Sequence, residues 1–315
     1  MQAVVIDNGA LRLEDRPDPV PGDTEVLVSV HAAGLNGADI LQRRGHYPPP
    51  PGAPADIPGL ELAGEIVGVG ARVEAARPGD RVMALVAGGA QATMAVVEES
   101  HLLRVPPSIS WPEAGGFPEV FTTAYDALFT RCGLSVGDRL LVTGAAGGVG
   151  VAAVQLAAAA GATVIASVRD PARREEVAAL GAHRVIGADD VAAYRPYDVV
   201  LDLVGAASLP SALGALATGA RVMVIGVGSG SRIELDLRTL MGTRSTIGGA
   251  TLRSRSRVEK AAVASALRAH VLPLLADGRL RVPVFATYPL AEATAAYARF
   301  TEGGKLGKIV LVADG

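Results

Sequence analysis

Apolar positions in this 315-residue chain change period partway along. Val26, Val28 and Val30 alternate with polar or small neighbours, the period of two that half-buries a strand. Pro17, Pro19, Pro21 and Gly22 break the chain before them, and the prolines at 48–51 break it after. Further short strands are predicted at 61–69, 81–85 and 92–97, a spacing that predicts a small, partly open barrel. Ser110-Trp-Pro-Glu113 then reads as a capping box with Pro in the first turn of a helix. Beyond it strands and helices alternate. The pattern gives helix 122–130, strand 139–143, helix 149–160, strand 163–167, helix 172–180, strands 185–187 and 198–204, helix 209–216 and strand 221–226. Such alternation predicts an α/β fold with a doubly wound parallel sheet of the Rossmann type. A long helix is predicted from Arg255, with Val263, Leu267, Val271 and Leu274 on one face, and a last strand at 308–312. The expected domains are 1–117 and 118–254, with a tail, 255–315, that returns to the first.

Residues 140–150 read Leu-Leu-Val-Thr-Gly-Ala-Ala-Gly-Gly-Val-Gly, a buried strand running through a glycine turn into a helix. The first N–H groups of that helix lack intrahelical acceptors, so an anion, above all a pyrophosphate, is the expected occupant. The spacing is not the strict dinucleotide fingerprint: Gly144, Gly147 and Gly150 fall three apart, with Ala145 where the first fingerprint glycine belongs. About 20 residues on, an NAD site places an acid on the ribose hydroxyls. Here the strand ends at Ser167, and Arg169 and Arg173 follow. A charge-assisted bond to phosphate contributes roughly 1.5–3 kcal/mol, enough to favour a 2′-phosphate by about one to two orders of magnitude. Asp170-Pro171 reads as the N-cap and first residue of the next helix, which engages the Asp170 carboxylate with backbone N–H groups. A cation in that first turn, as at Arg173, is unfavourable unless something such as a phosphate offsets it. The competing reading makes Arg169, Arg173 and Arg174 a solvated face. NADPH is the expected cofactor.

Composition narrows the function classes. Half the residues are apolar, 19% are charged and the net charge is −3. No basic run approaches a polyanion-binding patch, so nucleic acid is not an expected partner. Cys132 is the single cysteine, which excludes a disulfide framework and a cysteine-based metal site. Residues 140–168 carry no charge and include Gly144-x-x-x-Gly148, but Thr143, Gln155, Gly161 and Thr163 interrupt the run. A strand, helix and strand inside a protein account for it better than a membrane span. With neither a basic nor a long apolar leader at the start, a cytoplasmic protein is expected.

Several motifs then coincide. Residues 36–48 (Asn-Gly-Ala-Asp-Ile-Leu-Gln-Arg-Arg-Gly-His-Tyr-Pro), Pro58-Gly-Leu-Glu61, 145–150 with Gln155, and Gly307-Lys308-Ile-Val resemble the zinc-independent quinone oxidoreductases. These belong to the medium-chain dehydrogenase/reductase superfamily. Tyr47 with the prolines and Gly52 after it, Phe117-Pro-Glu119 and Leu252-Arg-Ser-Arg255 are most similar to the stress-inducible branch. The resemblance covers essentially the whole chain. It implies a GroES-like barrel domain beside the Rossmann domain, NADPH as hydride donor, and a homodimer joined through the Rossmann sheets around residues 231–249. It also implies that Asn36 holds the nicotinamide end, that Tyr47 lines the substrate site and that Thr122 meets the nicotinamide ribose or phosphate. Gly147, Gly148 and Val149 would touch the pyrophosphate, with Gly226 and Leu252 beside the nicotinamide. Zinc-dependent relatives place Cys and His ligands where Asn36 and Leu60 stand, so no zinc is expected. The family's tyrosine near the adenine phosphate is missing, since Gly187-Ala188 stand there, which loads the NADPH preference onto Arg169 and Arg173.

A quinone asks for position, exclusion of water and donors near its carbonyl oxygen, since the cofactor carries the hydride. Tyr47 is the donor that the resemblance places best; the alternative is a packing residue at the mouth of the proline-rich loop. Asp39 reads as a helix-start residue, Glu61 as a brace, His31 as a core or edge residue and His46 as a surface-loop residue with a proton shuttle as the alternative, while His101, His183 and His270 have no clustered partners. Arg253 and Arg255 either reach the cofactor or cap the long helix, with cofactor contact expected for one of them. Lys308 either approaches NADPH or is a strand-end charge. The leading function is an NADPH-dependent quinone reductase acting without a metal. A second reading is reduction of an activated C=C bond in an enone or enoyl thioester, with Tyr47 as proton donor. A third is a non-catalytic NADPH-binding structural or sensor protein.

Overall fold

The computed structural model describes residues 1–313, and they form two compact units. The first holds Met1–Thr122, Leu252–Gly303 and the chain from Lys308 onward; the second holds Thr123–Thr251 and Gly304–Gly307.

In the first unit, β1 (Gln2–Asp7) and β2 (Ala10–Asp15) form a hairpin. The trunk is β3 (Glu25–Gly34), whose alternate residues Val26, Val28 and Val30 are buried as the period of two requires. A short helix, α1 (Gly37–Arg43), follows it directly. Next come β4 (Glu61–Val69), β5 (Arg81–Leu85), β6 (Met94–Glu98) and the short β7 (Leu103–Arg104). Then follow α2 (Trp111–Gly115) and α3 (Pro118–Tyr125). The Ser110–Glu113 capping box starts α2, as its sequence predicts. The predicted helix 122–130 differs: α3 begins at Pro118, where a missing N–H costs nothing, and passes into a π-helical turn at Asp126–Arg131.

The second unit contains β8 (Arg139–Val142), α4 (Gly148–Ala159), β9 (Thr163–Ser167), α5 (Arg174–Ala178) and β10 (Arg184–Ile186). It continues with β11 (Tyr197–Asp202), α6 (Leu209–Leu213), β12 (Leu216–Val224), α7 (Leu237–Thr243) and β13 (Thr246–Gly249). All five pairings are parallel and the order is β10-β9-β8-β11-β12-β13. Numbered within the sheet, that is 3-2-1-4-5-6, the Rossmann order, with its switch point between β8 and β11. Thr143 clamps that point: its hydroxyl bonds Asp202 Oδ1 at 2.7 Å and accepts Leu203 N–H at 2.9 Å. Leu141, Ile165, Tyr197, Val200 and Val222 form the core.

The chain then returns to the first unit through α8 (Arg257–His270), α9 (Leu272–Ala276), β14 (Val284–Pro289), α10 (Ala293–Glu302) and β15 (Lys308–Val312). The long helix predicted from Arg255 breaks at Val271, because Pro273 cannot continue the hydrogen-bond ladder. The break rotates the face, so Leu275 rather than Leu274 is buried with Val263, Leu267 and Val271. The sheet of this unit runs β14-β15-β3-β4-β5-β7, with β6 also on β3. Among the described residues no helix is long and apolar enough to cross a membrane.

Candidate active site

The glycine turn occupies the carboxyl end of β8, at the switch point. Gly144 adopts a φ of +62°, which few side chains tolerate. Gly150 is required for space, since a Cβ there would stand 2.6 Å from Ala145 Cα and 2.7 Å from Gly144 O. Gly147 differs: a Cβ there would meet only Gly144 O, at 3.4 Å. Two glycines therefore shape the turn, and Gly147, the N-cap of α4, leaves its approach open. Gly148, Val149 and Gly150 are the first residues of α4, and their N–H groups precede the first intrahelical bond, Val151 to Gly147. An open approach in front of orphan donors fits a pyrophosphate.

One neighbour of this turn escaped the sequence reading. Gly307 forms a parallel bridge with Gly147 and donates its N–H to Ala146 O at 2.9 Å. The segment Gly304–Gly307 thus lies against the turn, and only the close spacing of Gly303, Gly304 and Gly307 hinted at it.

Ser167 ends β9, buried, with its carbonyl taken by Ala145 N–H. Asp170 accepts from Ala172 N–H at 3.0 Å, so its carboxylate caps the next turn as expected. The predicted helix 172–180 is shorter, a 3-10 turn at Pro171–Arg173 and then α5. Arg169 is exposed and has no ion partner among the described residues. Arg173 is already engaged, with Nη1 on Glu176 at 2.7 Å and Nε on Gly304 O at 3.1 Å. The two arginines are therefore not equivalent. Gly226 is a packing glycine, since a Cβ would fall 2.3 Å from Leu203 O.

In the first unit the candidate residues meet in a buried polar cluster. Asn36 caps α1; its N–H donates to Asp39 Oδ2 at 2.8 Å, the return half of a capping box. Asp39 Oδ1 accepts Gly59 N–H at 3.2 Å. Burial raises Asp39 from its ordinary value to about 6, against the pull of the Asn36 N–H and of Lys308. The Asn36 amide donates to Glu61 Oε1 at 2.9 Å, and its Oδ1 accepts from Lys308 Nζ at 2.7 Å. Lys308 Nζ also reaches Leu35 O at 2.7 Å and Glu61 Oε1 at 2.6 Å. Glu61 Oε2 accepts Glu119 N–H at 2.8 Å.

This corrects the expectation for Lys308. It is buried, not a strand-end charge, and its three protons have three protein acceptors, which leaves none for a cofactor. Arg253 is corrected likewise: it neither reaches outward nor caps a helix. Its guanidinium binds Ala87 O, Tyr47 O and Gln42 Oε1 at 2.7, 2.8 and 2.6 Å. The Asn36 amide is occupied on both atoms, so its part is to order the cluster. Gln42 was missed because an isolated Gln carries no signal; it lies one helical turn beyond Asp39 on α1.

Tyr47 is half-buried, with the Arg253 guanidinium 5.2 Å from its ring centre. Its hydroxyl takes no protein partner among the described residues. Burial raises its phenol above the ordinary value, while the Arg253 charge works the other way. Thr122 is buried on α3 beside a small crevice lined by Leu85, His101, Leu103, Lys260 and Ala264, and Leu252 is buried.

Comparison with known proteins follows the two units. Residues 22–129 match the family model of the alcohol dehydrogenase GroES-like domain, and residues 148–267 match that of the zinc-binding dehydrogenases. The chain is 33% identical over 306 residues to a quinone oxidoreductase of Lama guanicoe, covering 93% of this chain and 90% of that one. Among solved structures, an NAD-dependent alcohol dehydrogenase superposes with a TM-score of 0.88 at 28% identity, over 100% of both chains. A mycobacterial protein solved in complex with NADPH gives 0.89 at 27% identity, over 99% of this chain and 100% of that one. The order of the parallel sheet, the glycine turn at its switch point and the relatives' coverage of both units agree: the chain belongs to the quinone oxidoreductase family of the medium-chain dehydrogenase/reductase superfamily.

Proposed function

We propose that this oxidoreductase is an NADPH-dependent quinone reductase that works without a metal. The observation that carries the reading is the Tyr47 hydroxyl. Asn36, Glu61, Lys308 and Arg253 spend their polar atoms on protein partners, whereas the Tyr47 hydroxyl has none among the described residues and would donate to an acceptor's carbonyl oxygen. Such a donor helps as charge develops on that oxygen. NADPH, when bound, supplies the hydride. The α4 N-terminus and its glycine turn would hold the pyrophosphate, with Ser167 and Gly226 in the same unit. Arg169 would read the 2′-phosphate, and Arg173 would join it only by releasing Glu176. The residues do not suit a zinc ion: the Asn36 and Glu61 oxygens hold the Lys308 ammonium, and Leu60 offers no donor.

The second reading, reduction of an activated C=C bond in an enone or enoyl thioester, rests on the same Tyr47 hydroxyl, which has no protein partner among the described residues and would supply the proton. Both readings are separated by following NADPH oxidation against a panel of quinones, enones and enoyl thioesters, with Tyr47→Phe alongside. Turnover with quinones that survives in weakened form in the variant supports the first. NADPH binding without turnover of any quinone would sink it.

We also infer a homodimer through the second unit. β13 is the edge strand of its sheet, and Ile233, Leu237 and Met241, in the segment that leads into it, are exposed. Met241→Asp should shift the particle to monomer mass in analytical ultracentrifugation; a monomeric parent protein would remove the inference.

A further inference from the structure

Arg253 is 4% exposed, yet no carboxylate stands within ion-pair distance of it among the described residues. Three neutral oxygens hold it instead, on three separate segments: Gln42 on α1, Tyr47 after α1, and Ala87 after β5. Its backbone is fixed too. Lys260 Nζ donates to Arg253 O at 2.9 Å, and Lys260 lies in the first turns of α8, which the Ser256–Glu259 capping box starts. Space-filling alone does not account for this residue. A buried guanidinium with neutral acceptors carries a desolvation cost that an apolar side chain of similar size avoids. What Arg adds is a rigid fork that fixes several acceptors at once.

The loop it holds needs such an anchor. Tyr47 is followed by four prolines, which have no N–H to donate, so this stretch cannot tie itself down through its own backbone donors. Gly45 and Gly52 flank it at φ values of +75° and +88°, where the chain turns. The Arg253–Tyr47 carbonyl bond fixes the backbone at the tyrosine, and the guanidinium lies 5.2 Å from the centre of its ring.

We propose that Arg253 is the positioning residue for Tyr47, and that by holding this tyrosine in place it sets how well the site accepts a quinone. The proposal rests on the reading of Tyr47 as the acceptor-facing donor. It implies that Arg253 acts on the acceptor only through Tyr47.

A double-mutant cycle tests it, with Tyr47→Ala, Arg253→Met and the pair, and with Arg253→Lys as a milder variant should the Met form fold poorly. Kinetics with 1,4-benzoquinone and 9,10-phenanthrenequinone are read beside amide hydrogen exchange of residues 45–57. Arg253→Met should raise the quinone KM about tenfold and leave the NADPH KM within about twofold. In the Tyr47→Ala background it should change the quinone KM less than about twofold. Exchange across 45–57 should quicken at least about tenfold while β4 is unchanged, with Arg253→Lys between the two. Effects that multiply in the double variant would overturn the proposal, as would unaltered exchange in both Arg253 variants. Should Tyr47→Ala leave every quinone unaffected while Arg253→Met still loosens 45–57, the quinone reading fails and the anchoring of Tyr47 by Arg253 stands.

Discussion

Replacing Lys308 with Met takes the cation out of a pair that is buried on both sides, 3% exposed at Lys308 and 0% at Glu61, with 2.6 Å between charges. At an effective dielectric of about 20, a pair at that distance attracts by roughly 6 kcal/mol before desolvation is counted. Losing the ammonium relieves its own desolvation but strands the carboxylate, which keeps only the Asn36 amide and the Glu119 N–H. It also leaves Leu35 O and Asn36 Oδ1 without their donor. Breaking one side of a buried pair costs about 3–5 kcal/mol, or roughly 6–20 °C in Tm for a unit of this size. Trp111, the one tryptophan, lies in the same unit, stacked on His31 at 4.6 Å, so its fluorescence during urea or thermal unfolding reports that unit. Adding Glu61→Gln to Lys308→Met removes the stranded charge and should restore at least about 2 kcal/mol relative to additivity. A loss under about 1 kcal/mol for Lys308→Met, or a double variant as unstable as the sum of the singles, would refute the reasoning.

Three further outcomes follow from the same geometry. Gly150→Ala should weaken NADPH binding by at least about tenfold and lower stability, because its Cβ has no room, whereas Gly147→Ala should fold normally; equal thermal shifts for the two would contradict the assignment. Arg169→Ala should raise the NADPH dissociation constant about tenfold and leave NADH nearly unchanged, with a smaller effect for Arg173→Ala, read by fluorescence titration. An equal loss for both cofactors would mean that Arg169 does not read the 2′-phosphate. Asp39, buried and raised from 3.8 to about 6, binds a proton in the folded state where the unfolded chain has released it. Its contribution therefore increases as pH falls through 6, by up to about 3 kcal/mol near pH 4. The stability of the parent relative to Asp39→Asn should widen in its favour by that order between pH 7 and 4, and a pH-independent difference would discard the shift.

The chain's local chemistry determined a good deal unaided. The period-two run at Val26–Val30, the strand-turn-helix at 140–150, the Ser110–Glu113 box and the Asp170-Pro171 cap are all decided by neighbours within a few residues, and each stands where the sequence put it. The lack of an acid at Ser167 itself is equally local. Tertiary structure decided the rest, because the partners are far apart in the chain and charge burial leaves no periodic trace. Lys308, which the sequence left open between a cofactor contact and a strand-end charge, is a buried cation because Asn36 and Glu61 come to it from more than 240 residues away. Arg253 meets Gln42 across 211 residues, and Gly307 returns to Gly147. The arginines at 169 and 173 look alike in sequence, and only the fold gives one of them Glu176 and Gly304 and leaves the other open. The glycine turn and the unpaired N–H groups that follow it are written in contiguous residues; the cluster that holds Tyr47 in place exists only once distant segments have packed and excluded water around their charges.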